Sequence, residues 1–372
     1  MKRQFLSLLT SILMLLFALL LMIPVASAQT TGQTAPTEEA VETAEATPEP
    51  TQEIVVPPYS QLSGVRYEAQ GWNNCGPATL TSALSFFGYS DNQTRAAQWL
   101  KPNGEDKNVS PSQMVEFVNS QIPEMNVFAL ERYGGTLDLL KLLVSQGYPV
   151  IIEAGYDPEP DRLGWMGHYL FVKGYDDSSS VFITNDSYLG EGVNYTYDHI
   201  QEFWQHFNYA YIVLYESGQE PALLELLGSD AEVRQNYINA LEIARAEAVT
   251  DNTDKYAWFN MGTNFVGLEM YNEAAIAYDQ AFNLNLPWRM LWYQFGPLEA
   301  YSQMERYDDV LRLVQRNLND GGGQYVEESF YYGGVAREGK GEVSRALENY
   351  RGALAFNPNF TPAREAVERL SS

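Results

Sequence analysis

A lone cysteine is the strongest nucleophile in this sequence. The 372-residue chain contains one cysteine, Cys75, in the segment Gln70–Leu80, which reads QGWNNCGPATL. Pro77 follows two residues later, and proline is favoured in the first turn of a helix. Cys75 is therefore predicted at a helix N-terminus, where free backbone N–H groups and the helix dipole lower the pKa of a thiol. We expect a reactive thiolate at Cys75 in preference to an inert buried thiol.

A thiolate that carries out acyl transfer needs an imidazole to pair with it and to protonate the leaving amine. The chain has three histidines. His168 begins the strand-like run His168–Tyr175, directly after a glycine-containing turn, so its side chain can face a cleft. His199 and His206 lie in an aromatic helical stretch, where packing or surface roles are expected. His168 is the predicted catalytic partner of Cys75.

A third group has to orient the imidazole. If the strand of His168 turns back about Asp177, the antiparallel register places Asp186 opposite His168. Facing side chains have Cβ atoms about 4.5–5.5 Å apart, which is close enough for a carboxylate to accept the imidazole N–H. A slipped register would bring Asn185 there instead, so Asn185 stays as the alternative to Asp186.

The oxyanion that develops on an attacked carbonyl needs a hydrogen-bond donor. Gln70 lies five residues before Cys75 and can supply a side-chain amide near the Cys75 backbone N–H. Gln61 is the competing candidate. The predicted set is thus Cys75, His168, Asp186 and Gln70.

Composition excludes several other classes of protein. The chain carries 23 Lys and Arg against 48 Asp and Glu, a net charge of −25, which opposes binding to nucleic acid through phosphate contacts. A single cysteine forbids an intramolecular disulfide and a zinc site of clustered thiolates. We expect no cofactor and no metal.

The N-terminus has the pattern of an export signal. Lys2 and Arg3 precede an apolar run, and Ala26–Ala28 forms a small-residue cleavage site, so residues 1–28 are predicted to be a signal peptide. The apolar run is long enough for an uncleaved membrane anchor to stay as the alternative. Residues 29–53 are rich in Thr, Ala, Pro and Glu and are predicted to be a disordered linker. A secreted or cell-surface protein is expected, bound to a membrane only if the signal is not cleaved.

Residues 54–217 have a mixed pattern, typical of an α+β domain with helices first and an antiparallel sheet afterwards. Helices are predicted after Cys75, around Ser110–Gln121 and around Thr136–Gln146. Four β-rich runs follow: Pro149–Ala154, His168–Tyr175, Val181–Asn185 and Tyr209–Tyr215.

After about residue 218 the pattern becomes helical and repetitive. Residues 218–254 are predicted to be connecting helices, followed by a tetratricopeptide-like array. The first copy has the pattern's small, aromatic and proline positions at Trp258, Gly262, Ala274, Tyr278, Ala281 and Pro287. Another has them at Phe330, Gly334, Ala346, Tyr350, Ala353 and Pro358, and a weaker copy between them uses Tyr301, Tyr307, Val310 and Val314. We assign repeats to 255–288, 291–324 and 327–360, with Thr361–Leu370 as a capping helix, and expect the halves on either side of Ser217 to fold independently.

The segment around Cys75, the later Gly-His-Tyr-Leu and the strand that ends in Asn-Asp together resemble the cysteine peptidases of family 39. These belong to the papain-like fold group, which includes the double-glycine leader peptidases. The resemblance covers about residues 55–215. It implies Cys75 as nucleophile, His168 as general base and acid, Asp186 as orienting residue and Gln70 as oxyanion donor. The helical third resembles tetratricopeptide domains, which implies a peptide or protein partner.

The leading hypothesis is an exported cysteine peptidase that cleaves peptide or protein substrates and carries a protein-binding helical array. One alternative is a catalytically silent, peptide-binding pseudopeptidase or scaffold. The other is a thiol amidase or transpeptidase that acts on cell-wall peptides.

Overall fold

The computed structural model describes residues 54–156 and 164–372. The predicted signal peptide (1–28) and the predicted linker (29–53) lie outside these residues. Residues 58–372 form one compact unit. Among the described helices, none has the length and apolar character needed to cross a bilayer.

An antiparallel seven-stranded sheet forms the centre of the N-terminal part, with spatial order β2-β7-β3-β4-β5-β6 and β1 paired to β4. The strands are β1 (Tyr59–Gln61), β2 (Val127–Arg132), β3 (Val150–Tyr156), β4 (Met166–Asp176), β5 (Val181–Asp186), β6 (Gly190–Thr196) and β7 (Tyr211–Glu216). The helices of this part are α1 (Cys75–Leu84), α2 (Gln93–Leu100), α3 (Pro111–Gln121), α4 (Leu137–Ser145) and α5 (Tyr197–Trp204). The predicted order of a mixed part followed by helices is confirmed.

The four predicted β-rich runs and the three predicted helices form, with ends shifted by one or two residues. Strands β3 and β4 are buried along almost their whole length, which accounts for their nearly continuous apolar sequences. Strands β1, β2 and β6 were not predicted from the sequence. Strand β6 alternates partly buried with exposed polar residues at the sheet edge, so it lacks the apolar content that made the other strands visible.

Helix α1 crosses the buried sheet and fixes the position of Cys75. Its residues from Gly76 to Leu84 are all buried. The Thr79 hydroxyl donates to the Tyr169 carbonyl of β4 at 3.2 Å. A Cβ on Gly76 would lie 3.2 Å from the Val109 side chain, so glycine allows the first turn of α1 to pack closely.

The C-terminal half is helical throughout its described length. Its helices are α6 (Glu220–Leu227), α7 (Val233–Thr250), α8 (Lys255–Gly267), α9 (Tyr271–Asn283), α10 (Gly296–Gln303), α11 (Tyr307–Leu318), α12 (Glu327–Gly339), α13 (Val343–Phe356) and α14 (Thr361–Ser371). Three successive helix pairs, α8–α9, α10–α11 and α12–α13, occupy the ranges of the three predicted repeats, and α14 follows them.

The first and third helix pairs pack in the same way. Gly262 lies against the ring of Tyr278, and Gly334 lies against the ring of Tyr350, where an added Cβ would come within 2.6 Å and 2.5 Å of a ring carbon. Both tyrosines are fully buried. The glycines of the repeat pattern therefore leave room for the tyrosine rings of the paired helix.

The helical half is joined to the sheet domain by buried polar contacts. Asn208 and Asn264 exchange side-chain hydrogen bonds of 2.7 and 3.1 Å. Asn236 of α7 accepts from the Tyr133 amide at 2.9 Å and donates to the Tyr133 carbonyl at 2.8 Å. Residues 58–372 form one compact unit, so the expected boundary at Ser217 does not separate two compact units.

Carboxyl groups are buried at a second part of this junction. Glu327 and Glu328 begin α12 and are buried near Asp106 and Asn108 of the sheet domain. The Asn108 side-chain amide donates to Glu328 at 3.5 Å, and Asn357 donates to Glu327 at 2.7 Å. Burial raises the pKa of Asp106 and of Glu328 well above the usual values, and the negative charge of Glu327 adds to both shifts.

Candidate active site

Cys75 is the first residue of α1, as the sequence predicted. Asn74, the N-cap residue, makes no side-chain capping bond, and the first turn has no acidic residue. The first-turn N–H groups and the helix dipole therefore act on the thiol itself. The Sγ atom is hydrogen-bonded to the imidazole of His168 and to the backbone N–H groups of Tyr169 and Gly76.

His168 and Asp186 are in direct contact. The imidazole Nε2 lies 2.8 Å from Asp186 Oδ1, which leaves Nδ1 as the ring nitrogen that faces Cys75. Both side chains are buried, with 6% of His168 and 0% of Asp186 exposed. The structure thus brings together the three side chains that the sequence analysis selected.

The strand register differs from the predicted one. Asp186 is paired with Leu170, and not with His168. The loop between β4 and β5 spans residues 177–180, and the β4–β5 pairing is irregular between Val172 and Gly174 of β4. The register therefore depends on this loop and this irregularity. His168 lies two residues from Leu170 on the same face of the strand, and a diagonal contact of this kind is within reach of long side chains.

The alternative orienting residue, Asn185, points elsewhere. It is paired with Phe171, its side-chain amide donates to Ser82 Oγ at 3.1 Å, and its carbonyl oxygen accepts from the Gly192 amide at 3.3 Å. Asn185 therefore ties β5 to α1 and to β6, and the group that contacts His168 is Asp186.

Four hydrogen bonds hold the Asp186 carboxylate. Besides His168, Oδ1 accepts from the backbone amides of Tyr188 at 2.8 Å and Leu189 at 3.0 Å, and Oδ2 accepts from the Tyr195 hydroxyl at 2.6 Å. Burial opposes ionisation of this carboxyl, but its bond to His168 and the bonds from Tyr195 and Leu189 outweigh that effect and lower its pKa to about 2. Asp186 is therefore a fixed anion. Sequence reasoning missed Tyr195, because a tyrosine in an edge strand carries no signal of its role.

The electrostatics favour a thiolate–imidazolium pair. Burial works against both charges. For His168 the hydrogen bonds and charges of Asp186 and Cys75 prevail and raise its pKa to about 10. For Cys75 the bond and charge of His168, with the two backbone N–H groups, prevail and lower the thiol pKa. Cys75 is thus ionised at a pH at which His168 is still protonated.

Gln70 lies beside the orienting residue. Its backbone amide donates to the Ser187 carbonyl at 2.8 Å, and its side-chain oxygen accepts from Ser187 Oγ at 2.9 Å. Within residues 54–156 and 164–372 the Nε2 group of Gln70 has no hydrogen-bond partner. Gln61, by contrast, is paired with Gly174, six residues along β4 from His168 and hence about 20 Å away. Of the two glutamines, Gln70 is the one that contacts the residue after Asp186, and its side-chain NH2 group is free among the described residues.

A buried cation beside Cys75 was not predicted from the sequence. Lys101 is almost inaccessible, and its ammonium donates to the Asn74 side chain at 3.3 Å and to the Gly104 carbonyl at 3.4 Å. Burial lowers the pKa of Lys101, whereas the negative charges of Asp106 and Cys75 oppose that shift. Its positive charge next to the N-cap of α1 favours an anionic Cys75.

The other two histidines have packing roles, as predicted. His199 is stacked between Tyr195 and Phe203, at ring distances of 4.8 and 4.5 Å. His206 accepts from the Trp165 indole at 3.0 Å and stacks on Tyr256. Burial lowers the pKa of His206 to about 3, which keeps it neutral. No group of three or more potential metal ligands occurs among the residues that the structure describes.

The solved structures that match this chain have low sequence identity to it and low TM-scores. A Bacillus anthracis protein described as a C39-like peptidase is 15% identical, with a TM-score of 0.35, and the alignment covers 42% of this chain and 98% of that one. A structure described as MamA RS-1 ArsTM double mutant is 14% identical, with a TM-score of 0.33, and covers 41% of this chain and 82% of that one. No curated protein matches the chain. Residues 53–216, which carry Cys75, His168 and Asp186, match the model of the Peptidase_C39 like family.

Proposed function

We propose that this protein is a cysteine peptidase in which Cys75, His168 and Asp186 hydrolyse a peptide bond. The observation that carries the proposal is the continuous contact from a helix-terminal thiol through an imidazole to a buried carboxylate, with 2.8 Å between His168 Nε2 and Asp186 Oδ1. This order of nucleophile, base and orienting anion is the arrangement that thiol acyl transfer requires.

In the proposed mechanism the Cys75 thiolate attacks the carbonyl carbon of the substrate. The resulting oxyanion accepts hydrogen bonds from the Gln70 side-chain amide and the Cys75 backbone N–H. The tetrahedral intermediate collapses, the C–N bond breaks, and His168 gives its Nδ1 proton to the departing amine. The products of this half-reaction are a thioester on Cys75 and a free amine.

Water completes the cycle. Neutral His168 takes a proton from water as the water oxygen attacks the thioester carbonyl, and the C–S bond then breaks. This step releases the carboxylic acid and restores the thiolate and the imidazolium. Asp186 remains ionised throughout and holds the ring with Nδ1 directed toward Cys75, while its charge stabilises the imidazolium.

The remaining parts of the proposal rest on sequence patterns. The signal-like segment at residues 1–28 supports export. The Gly–Tyr packing shared by the first and third helix pairs supports tetratricopeptide repeats at 255–288, 291–324 and 327–360. We propose that this array binds a peptide or protein partner for the peptidase domain at residues 54–217, with residues 218–254 as the connection.

The test uses the full chain and a variant in which only the nucleophile is removed. Cys75→Ala should abolish cleavage of a fluorogenic peptide library and keep the melting temperature within a few degrees, because Cys75 is partly exposed and a small side chain is tolerated there. Glu202→Gln is the control, since Glu202 is exposed on α5, and it should retain activity. Cleavage that persists in Cys75→Ala would refute the proposal, as would a wild-type thiol that resists alkylation below pH 7.

A further inference from the structure

A cavity lies between the sheet domain and the helical half. Its volume is about 390 Å³, within the range of roughly 300–1,000 Å³ typical of small-molecule sites. Tyrosine and glutamate side chains are its distinctive lining, namely Tyr133, Tyr237, Tyr278, Tyr293, Tyr332, Glu153 and Glu299. We call it the tyrosine cavity. Exposed Ser112 also lines it, so it opens to solvent.

The tyrosine cavity contains two carboxyl groups, those of Glu153 and Glu299. Among the described residues that line it, there is no Lys, Arg or His. The Glu299 carboxyl has neither a hydrogen-bond donor nor an ion pair within the described part of the chain. Glu153 is 4% exposed, and burial raises its pKa together with the negative charge of Cys75. Burial raises the pKa of Glu299 as well, so both carboxyls favour the neutral form when no cation is near. A cation bound in the cavity would favour their ionised form and would pair with it.

The aromatic lining suits the same kind of ligand. Phe295 and Tyr332 stack with ring centroids 6.5 Å apart at the cavity wall. The faces of aromatic rings attract ammonium and guanidinium groups within about 6 Å of the ring centre. A tyrosine-rich wall also gives apolar contact to the methylene stem of a long basic side chain.

The tyrosine cavity adjoins the proposed catalytic residues. Tyr293 packs on Gly167, the residue before His168, where an added Cβ would lie 3.0 Å from its ring. Glu153 is paired across the sheet with Tyr169, whose backbone N–H bonds the Cys75 thiolate. Two residues that line the cavity, Tyr293 and Glu153, are thus in contact or paired with the two chain neighbours of His168.

We propose that the tyrosine cavity binds a lysine or arginine side chain of the substrate, next to the bond that is cleaved. This inference rests on the proposed peptidase function and adds a substrate class to it: peptides with a basic residue near the scissile bond. The helical half then takes part in substrate selection directly, because four of the five cavity tyrosines and Glu299 come from it.

Binding can be measured separately from cleavage in the full-length Cys75→Ala variant. The probes are blocked pentapeptides, acetyl-Ala-Ala-X-Ala-Ala-amide, in which X is lysine, arginine or norleucine. Norleucine matches the lysine stem but lacks the charge. Calorimetry should show the lysine and arginine peptides binding at least about 10-fold more tightly than the norleucine peptide.

The cavity variants are Glu299→Gln and Glu153→Gln in the Cys75→Ala background. Each should weaken the lysine peptide about 5- to 30-fold, the range expected for one desolvated charge contact, and leave the norleucine peptide unchanged. Because the chain has a net charge of −25, a cationic peptide is also attracted non-specifically. Glu348→Gln on the exposed face of α13 removes the same charge away from the cavity and should leave lysine binding unchanged.

Equal binding of the lysine and norleucine peptides would overturn the proposal. So would a lysine preference that survives Glu299→Gln and Glu153→Gln together, because the ligand would then bind elsewhere. The proposed hydrolysis fails differently: the wild-type protein would bind the lysine peptide with the stated preference and leave longer lysine-containing peptides intact. That result would refute the peptidase and support the tyrosine cavity.

Discussion

The charge of Asp186 should set the protonation of His168, and Asp186→Asn tests this dependence. The change keeps the shape of the side chain and removes its negative charge. In the wild-type protein the pKa of His168 is raised from 6.5 to about 10. That difference corresponds to roughly 5 kcal/mol in favour of the imidazolium. Asp186, at 2.8 Å, and Cys75 share this stabilisation and also overcome the opposing effect of burial.

If Asp186 supplies about half of the stabilisation, the variant loses roughly 2–3 kcal/mol and the His168 pKa falls by about 2 units, to about 8. The direction of this pKa change follows from the negative charge of Asp186. In the wild type, the raised pKa keeps His168 protonated up to about pH 10. Without the neighbouring anion it should lose its proton at lower pH. In the proposed mechanism, the general acid for the departing amine would then be depleted above pH 8.

Nuclear magnetic resonance of histidine labelled with ¹³C at Cε1 measures this directly, because the chain has only three histidines. Burial lowers the pKa values of His199 and His206, so only His168 should titrate above pH 8. Glu202→Gln, an exposed change on α5, is the charge-matched control. A wild-type midpoint near 6.5, or a midpoint in Asp186→Asn equal to that of the wild type, would refute the reasoning.

Two further predictions concern the junction between the halves. Glu328→Gln should raise the melting temperature by a few degrees at pH 7.5 and have little effect near pH 4.5. The pKa of Glu328 is raised in the folded protein. The fold therefore keeps its stability below the unfolded pKa of about 4.5 and loses stability as the pH rises and this carboxyl ionises. Thermal unfolding at both pH values checks this, and an unchanged melting temperature at pH 7.5 would contradict it. A chain cut after Ser217 should melt at a lower temperature than the full-length protein, because Asn208 and Phe207 lose their partners. Equal melting temperatures of the two proteins, measured by calorimetry, would contradict this contribution of the junction.

Local sequence signals determined the elements that carry the chemistry. Pro77 and the apolar residues after it define the start of α1, so the position of Cys75 at a helix N-terminus could be inferred without the fold. Likewise, the spacing of Gly262 and Tyr278, repeated at Gly334 and Tyr350, indicated helix pairs. These signals are readable because each depends on residues that are close together in the chain.

Only the tertiary structure determined how the residues of the candidate site come into contact. The side chain of Asp186 reaches His168 diagonally because a loop at residues 177–180 and an irregularity near Lys173 set the β4–β5 register. Both features depend on packing against neighbouring strands, and a one-residue slip would have turned Asp186 to the other face.

The junction between the halves is the clearest limit of sequence reasoning for this protein. Composition changes near Ser217, which suggested a boundary, yet residues 58–372 form one compact unit. Glu299 and Tyr293 meet Glu153 across a long stretch of chain, and no local pattern marks such a meeting. The sequence determined the helix start at Cys75 and the repeated helix pairs through short-range propensity, whereas the tyrosine cavity exists only because distant segments pack together and bury surface that neither half could bury alone.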